Sequence, residues 1–485
     1  MKFMSNKLSL CLWFTGTLIT ASFLSLTGTL AHPITAIGST IAAVTNDLYD
    51  VVVIGSEIQG VLLAKEAQAA GLKVLILDPR PKPGGELIQG QMFFLDDVHD
   101  NHRRSLVQGE IKNLFTKYKA GTIRKAPDFQ RYYDHLIKDI PIQSGIVIDT
   151  LNTFTIDQDK SLKFMNYHLP NGSSYRIRSK YWVENTDFGA LTGRLESRRI
   201  PGMETLYKKK QTEPDYMAAT YMLNLQKVHW HSLQKAILSA YPLTNVYEKY
   251  GSNTYANSHF ATGLGKIMRH YTPQDKQLML RGLNITNQKD GEVTINGLLI
   301  YDVNPSDLRS VQSAIAKAQA EAPHILNFFR SHVPGFIHAE LNDLPEYLYI
   351  RDYNRYETEY VLEYPDLMGN RMFWDNVSLG GYPVDIQGSR SIPWGIGYGK
   401  PDRYGLPLRS FELKSYDNVL VVGKNVGATI KAYGSARIMP TTALAAQTIG
   451  IILGRERDKL LCDLNEADFE RIHKYLEKEY QITLR

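Results

Sequence analysis

The sequence predicts an α/β fold with a mixed α+β segment inserted in it, on three observations. A strand–turn–helix–strand pattern runs from Asp50 to Leu77. A group of β-like runs between Ile146 and Ile177 is followed by a strand that ends in polar residues near Asp187. From Glu196 to about Gly380 the composition changes to tyrosine-rich segments of mixed character.

Val51 to Ile54 form an unbroken apolar run, as a strand buried on both faces requires, and the chain turns at Gly55. Helix formers follow from Gly60, with Val61, Leu62 and Ala64 as apolar positions and Gly71 placed to close the helix at C′. Val74 to Leu77 is the second strand, and Asp78 lies just past it. This reads as the opening unit of a dinucleotide-binding, Rossmann-like domain, with a ligand-free βαβ unit as the alternative. In such a loop the first glycine permits the tight turn, the second admits the pyrophosphate and the third lets helix and strand pack closely. Gly55 and Gly60 fill the first and third places, and Ser56 and Glu57 stand between them. Glu57 holds the second place, where its charge opposes a diphosphate at the helix N-terminus; if a diphosphate binds, this carboxylate must point away.

Asp78 lies about 20 residues beyond the turn, where a carboxylate accepts hydrogen bonds from an adenosine ribose. That favours FAD or NAD over NADP, although Arg80, after the proline break at Pro79, leaves some room for a phosphate. Gly84 and Gly85 would let backbone pass close to a long cofactor; the alternative is an ordinary surface turn.

The segment after Gly90 carries Asp96, Asp97, His99 and His102, but no second cluster at ligand spacing supports a metal, and none is expected. Helices are predicted around Glu110 to Tyr118 and Asp128 to Ile137. Ile146 to Thr155, Leu162 to Leu169 and Tyr175 to Ile177 form a β-meander with a hairpin turn at Asn171-Gly172, and Lys180 to Asp187 returns to the parallel sheet. Further on, Val311 to Ala322 is helical and Pro323 interrupts it. His229 and His231 share a face only in an extended segment and are read as ordinary surface or core histidines.

With 485 residues and 55.0 kDa the chain can build two domains with sizeable cores. A formal net charge of +5, without a dense basic block in the body of the chain, argues against a nucleic-acid partner. Lys2 and Lys7 precede an uncharged run from Leu8 to Leu30, which reads as a secretory signal peptide ending near Ala31 and implies an exported, periplasmic or extracellular protein. An uncleaved membrane anchor is the alternative. The leader lacks a twin-arginine pair, so in a bacterium the chain is expected to cross unfolded and acquire its cofactor afterwards. Cys11 and Cys462 are the only cysteines, which excludes a disulfide framework once the leader is cleaved.

Asp417 to Gly454 reads as a strand (Val419 to Val422), a turn at Gly423, a glycine-containing loop and an apolar helix opened near Pro440 and Thr441. This stretch resembles the C-terminal signature of the FAD-dependent oxidoreductase family, within the glutathione-reductase-like flavoprotein superfamily. Gly55, Gly60, Asp78 and Gly84-Gly85 match the family's start. Trp182 to Leu191, Arg351 to Leu362 and Gly380 to Gly388 resemble further family segments. Glu57, and the sequence Glu184-Asn185-Thr186-Asp187, depart from it.

The resemblance implies an FAD/NAD(P)-binding Rossmann-like domain with an inserted α+β substrate domain. The FAD-binding part would comprise residues 48–195 and 380–460, the substrate or cap domain 196–379, and a helical tail 461–485. It implies FAD held by Gly55, Ser56, Glu57, Gly60, Asp78, Pro79, Arg80, Gly84, Gly85, Gly423, Asn425, Gly434 and Ser435. The expected activity is hydride transfer between the flavin and a small organic substrate, with an unidentified electron acceptor. Arg351, Tyr353, Arg355 and Tyr382, with Asp385, are the candidate substrate-side residues: arginines to hold a carboxylate, tyrosines to line the flavin and donate hydrogen bonds. A salt-bridged scaffold at the domain junction is the alternative for these residues. For the whole protein, the alternative is an exported flavoprotein-like binding module without catalysis.

Overall fold

Seven strands form the first sheet in a computed structural model that describes residues 46–156, 159–207 and 213–485. The leader read from residues 1–31 lies outside the described residues. The first six strands are β1 (Asn46–Ile54), β2 (Val74–Asp78), β3 (Ile142–Ser144), β4 (Val147–Ile156), β5 (Asp159–His168) and β6 (Ser174–Glu184). They lie in the order β3-β2-β1-β6-β5-β4, and the seventh strand, Val419–Val421, pairs parallel with β6 at Trp182, Val183 and Glu184. The C-terminal strand therefore belongs to the sheet that holds Val51 to Ile54.

β2, β1 and β6 are parallel neighbours, with Val51 opposite both Val74 and Tyr181. Their central residues are buried on both faces, which explains the unbroken apolar runs. One face is covered by the helix Ile58–Ala69, which packs against the helix Met439–Arg455. The meander and the returning strand differ from the sequence reading. Tyr175 to Ile177 and Lys180 to Glu184 are one continuous strand, which pairs antiparallel with β5 over Ser174 to Ile177 and parallel with β1 from Arg176 to Glu184.

A second sheet of six strands is built around Ala219–Gln226, Leu278–Asn287 and Val293–Ile300, with its own apolar core. The helix Leu308–His332 covers it and runs through Pro323 instead of stopping there. The local cost of the proline is offset by the burial of Ala318, Ala322, Ile325, Leu326 and Phe329 along one face of that helix. Leu367, Val377 and Leu379 pack into the first core, so the chain rejoins it before Gly380. The tail contains the helix Glu466–Tyr480.

Candidate functional site

The glycine turn after β1 holds Gly55 at φ +99°, and a Cβ there would stand 2.7 Å from the Thr186 amide nitrogen, so the position requires glycine. Gly60 packs against Asn185 and Val53, joining helix to strand as the third loop glycine should. Around this turn the acidic and basic side chains satisfy one another. Ser56 donates its amide N–H (2.9 Å) and its hydroxyl to Asp78 Oδ2. Arg80 donates its amide N–H (2.8 Å) and Nε (3.1 Å) to Asp78 Oδ1, and Nη2 (2.9 Å) to Oδ2. Asp78 is fully buried, so its acceptors are spent inside the protein.

Glu57 does not turn away. Its Oε1 accepts from Arg80 Nη1 at 2.5 Å and its Oε2 from the Glu86 amide at 2.9 Å. Gly85, at φ +51°, lies flat against this carboxylate, and any Cβ at that position would collide with it. The Gly84-Gly85 turn thus makes room for the Glu57 side chain.

The C-terminal turn Gly423–Asn425 meets the same cluster. Asn425 Nδ2 donates to Thr186 O at 2.7 Å, and Lys424 Nζ donates to Glu86 Oε2 and Ile350 O, both at 2.7 Å. Lys424 also lies 3.8 Å from Asp187, whose Oδ1 accepts from Tyr347. Four carboxyl groups (Glu57, Asp78, Glu86, Asp187) therefore share two cations, Arg80 and Lys424, all of them buried. Burial raises the pKa of Glu86 and Asp187 although Lys424 opposes the shift. Burial disfavours the Lys424 charge, but Glu86 and Asp187 outweigh it and raise the ammonium's pKa.

A cavity of about 370 Å³ is lined by four guanidinium groups, Arg269, Arg281, Arg351 and Arg437, and by the Asp96 carboxyl. Asn296, Tyr349 and Tyr382 line it as well. Arg281 and Asn296 come from adjacent strands of the second sheet. Each lies in an interruption of a strand pairing, between Leu280 and Asn284 and between Ile295 and Leu298. Such irregularities re-aim side chains. Asn296 Oδ1 accepts from Arg281 Nη2 at 2.9 Å and from Arg351 Nη2 at 3.2 Å. Arg437, between the helices Ile430–Ala436 and Met439–Arg455, donates to the Tyr349 hydroxyl at 3.2 Å. The Nε groups of Arg281 and Arg437 are buried without a partner. Burial lowers the pKa of Arg351 to about 10, with Arg281 and Arg437 pushing the same way. Tyr382 donates to Asp96 Oδ1 at 3.0 Å, and burial raises the Asp96 carboxyl. Asp385 borders the cavity as well.

Of the five expected substrate-side residues, Arg351, Tyr382 and Asp385 therefore meet at one cavity, and the other two lie elsewhere. Tyr353 donates to Asn304 Oδ1 at 2.8 Å and lines a separate cavity of about 360 Å³ with Tyr216 and Asp302. Arg355 is buried in an ion pair with Asp352, its guanidinium 3.6 Å from the centre of the Tyr433 ring. Ser435 donates to the Tyr382 carbonyl at 2.6 Å, and Gly434 lets the helix approach the Asp385 carbonyl, where a Cβ would stand at 3.1 Å. These two residues support the cavity wall. Pro79 belongs to the bend that brings Arg80 back onto Asp78.

Arg281, Asn296, Arg437, Glu86 and Lys424 were not singled out from the sequence. The one available signal was Arg281-Gly282, which interrupts an otherwise strand-like run. Among the described residues no group of three or more His, Cys, Asp or Glu side chains converges on a metal position. Asp97 pairs instead with His99 and Lys119.

The family model for FAD dependent oxidoreductase matches residues 50–471. No curated protein matches the chain. Solved structures similar to it include a geranylgeranyl bacteriochlorophyll reductase-like protein from Thermoplasma acidophilum (11% identity, 90% of this chain and 85% of that one, TM-score 0.39). Others are p-nitrophenol 4-monooxygenase PnpA from Pseudomonas putida DLL-E4 (10% identity, 90% and 88%, TM-score 0.40) and the myxobacterial chondrochloren halogenase CndH (10%, 90% and 80%, TM-score 0.39).

The glycine turn, Asp78 at the end of β2, and the C-terminal strand and helix are the parts that the family resemblance implies for FAD. In the conformation described, Glu57 pairs with Arg80 at the second position of the glycine turn, and a cavity of about 10 Å³ lies beside Asp187, Lys424 and Asn425. That is about the room one water molecule needs.

Proposed function

Because the chain belongs to the FAD-dependent oxidoreductase family, an enzyme family whose cofactor is FAD, we propose that it oxidises or reduces a small organic anion bound in the arginine-lined cavity. The observation that supports this most is the convergence of Arg281, Arg351 and Arg437 on about 370 Å³ of space. Like charges held together under burial repel one another, and an anionic ligand relieves that repulsion. A planar carboxylate suits these arginines because guanidinium groups bind it through two parallel hydrogen bonds.

The second sheet contributes Arg281 and Asn296, and Arg437 comes from the C-terminal signature, so a substrate here would lie between the two cores. Tyr382 offers a hydroxyl at the same wall, oriented by Asp96. The flavin, when bound, supplies the redox chemistry. Hydride transfer is the form of that chemistry proposed here. The test is anaerobic mixing of flavin-loaded protein with organic acids and with their neutral amides. Reduction by an acid but not by its amide supports the reading; reduction by both equally overturns it.

A second reading, a flavoprotein-like module without catalysis, is favoured by the pairing of Glu57 with Arg80 at the second position of the glycine turn. Flavin-loaded protein that no organic acid or neutral donor reduces would support it.

A further inference from the structure

We infer that the Glu57 carboxylate is a resident anion of the dinucleotide cradle, and that FAD enters only by displacing it from Arg80 and the Glu86 amide. Three independent features carry this. The second position of the glycine turn is where backbone must approach the pyrophosphate, and Glu57 occupies it at the start of the twelve-residue helix Ile58–Ala69. Its two oxygens take a guanidinium N–H at 2.5 Å and a backbone N–H at 2.9 Å, the kinds of donor a diphosphate would use. Gly85 is shaped to this side chain, since a Cβ at Gly85 would overlap the carboxylate.

The charge balance points the same way. Two cations, Arg80 and Lys424, already serve four buried carboxyl groups. A diphosphate added to that cluster with Glu57 in place would bring more negative charge without a free counter-ion. With Glu57 removed, Arg80 Nη1 and the Glu86 amide become available donors. The carboxylate therefore trades cofactor affinity for stability of the cofactor-free protein. This inference concerns the cofactor end of the molecule and stands independently of what occupies the arginine cavity.

The experiment uses the full folded protein freed of flavin, the variants Glu57→Gly and Glu57→Gln, and two probes, FAD and inorganic pyrophosphate. Glu57 has extended backbone (φ −61°, ψ 153°), which glycine and glutamine both accept. Binding is read by quenching of FAD fluorescence, and stability by the thermal midpoint with and without pyrophosphate. The expected result is that FAD dissociation constants fall at least tenfold in both variants, that pyrophosphate raises their melting temperatures but not that of the wild type, and that both variants melt below the wild type when free of ligand. Glutamine keeps the volume of the side chain and removes only its charge, so it remains informative if the glycine variant folds poorly. Equal or weaker FAD binding by Glu57→Gln, or a wild-type protein that pyrophosphate stabilises as much as the variants, overturns the inference.

Discussion

Lys424 and Glu86 meet at 2.7 Å, although 338 residues separate them, and this contact ties the C-terminal turn to the loop after β2. Both side chains are buried, and Lys424 is also the cation nearest Asp187. Removing one partner of a buried pair strands the other. Lys424→Ala should therefore lower unfolding stability by about 3–5 kcal/mol in denaturant titration. Glu86→Gln in the same background should add less than it does alone, because the two residues share one interaction.

Arg355 and Tyr353 should separate scaffold from site. Arg355→Ala leaves Asp352 buried without its cation and removes the guanidinium from the Tyr433 ring, so a loss of about 3 kcal/mol is expected. Arg355→Lys should recover only part of that, since an ammonium cannot reproduce a planar guanidinium stacked on a ring. Tyr353→Phe should shift stability by less than about 1 kcal/mol and leave turnover of an organic acid unchanged. A large fall in turnover for Tyr353→Phe would move the site toward its cavity.

Arg437→Gln should raise KM for an organic acid about 10- to 100-fold, the equivalent of one lost charge-assisted hydrogen-bond pair, with a smaller change in kcat. The same substitution should leave binding of a neutral analogue nearly unaltered.

Glu412 predicts a pH dependence. Burial, with Asp375 and Glu359 nearby, pushes its carboxyl up to about 7 against an ordinary 4.5. A raised carboxyl means that the folded state prefers the protonated form. Its contribution is most favourable below pH 4.5, declines as pH rises to about 7, and is constant above that. Glu412→Gln should therefore stabilise the protein by about 1–3 kcal/mol at pH 8 and by little at pH 4.5. A stabilisation that is the same at both values would show that ionisation of Glu412 is not the cause.

Cys462 should be a slow thiol. Although Cys462 is exposed, partial desolvation of its thiol and the neighbouring Asp463, Glu412 and Asp417 push it up to about 11 from 9.0. In a Cys11→Ser chain, alkylation by iodoacetamide at pH 8 should run about 100-fold slower in the folded protein than in urea.

The parts of the fold legible in the sequence were those where one physical requirement fixes one residue type. Gly55 had to turn left-handed, Val51 to Ile54 had to be apolar on both faces, and Pro440 near the start of Met439–Arg455 marked that helix's beginning. The family resemblance added that Val419 to Val421 closes the first sheet, a non-local pairing that no local pattern announces.

Two readings failed for tertiary reasons. Pro323 lies inside a helix because burial along one face outweighs a local break, and β6 is continuous because its two halves serve different neighbours. At the site, residue types were legible but their partners were not. Asp78 stands where a ribose acceptor belongs, yet Ser56 and Arg80 occupy its oxygens. Arg281 and Asn296 reach the cavity through interruptions in strand pairing, which depend on the neighbouring strand and leave little trace in the sequence beyond Gly282 beside Arg281.

The parallel pairing of β6 with Val419–Val421 also sets an order on synthesis. When Glu184 leaves the ribosome, one edge of the central strands has no partner, and the whole second sheet must be made before that partner appears. Lys424, which with Arg80 supplies the cations of the buried acidic cluster among the described residues, arrives on the same late segment. The growing chain therefore carries an open strand edge and under-neutralised acids through about half of its translation. These features delay cooperative closure until about the last seventh of the sequence is available.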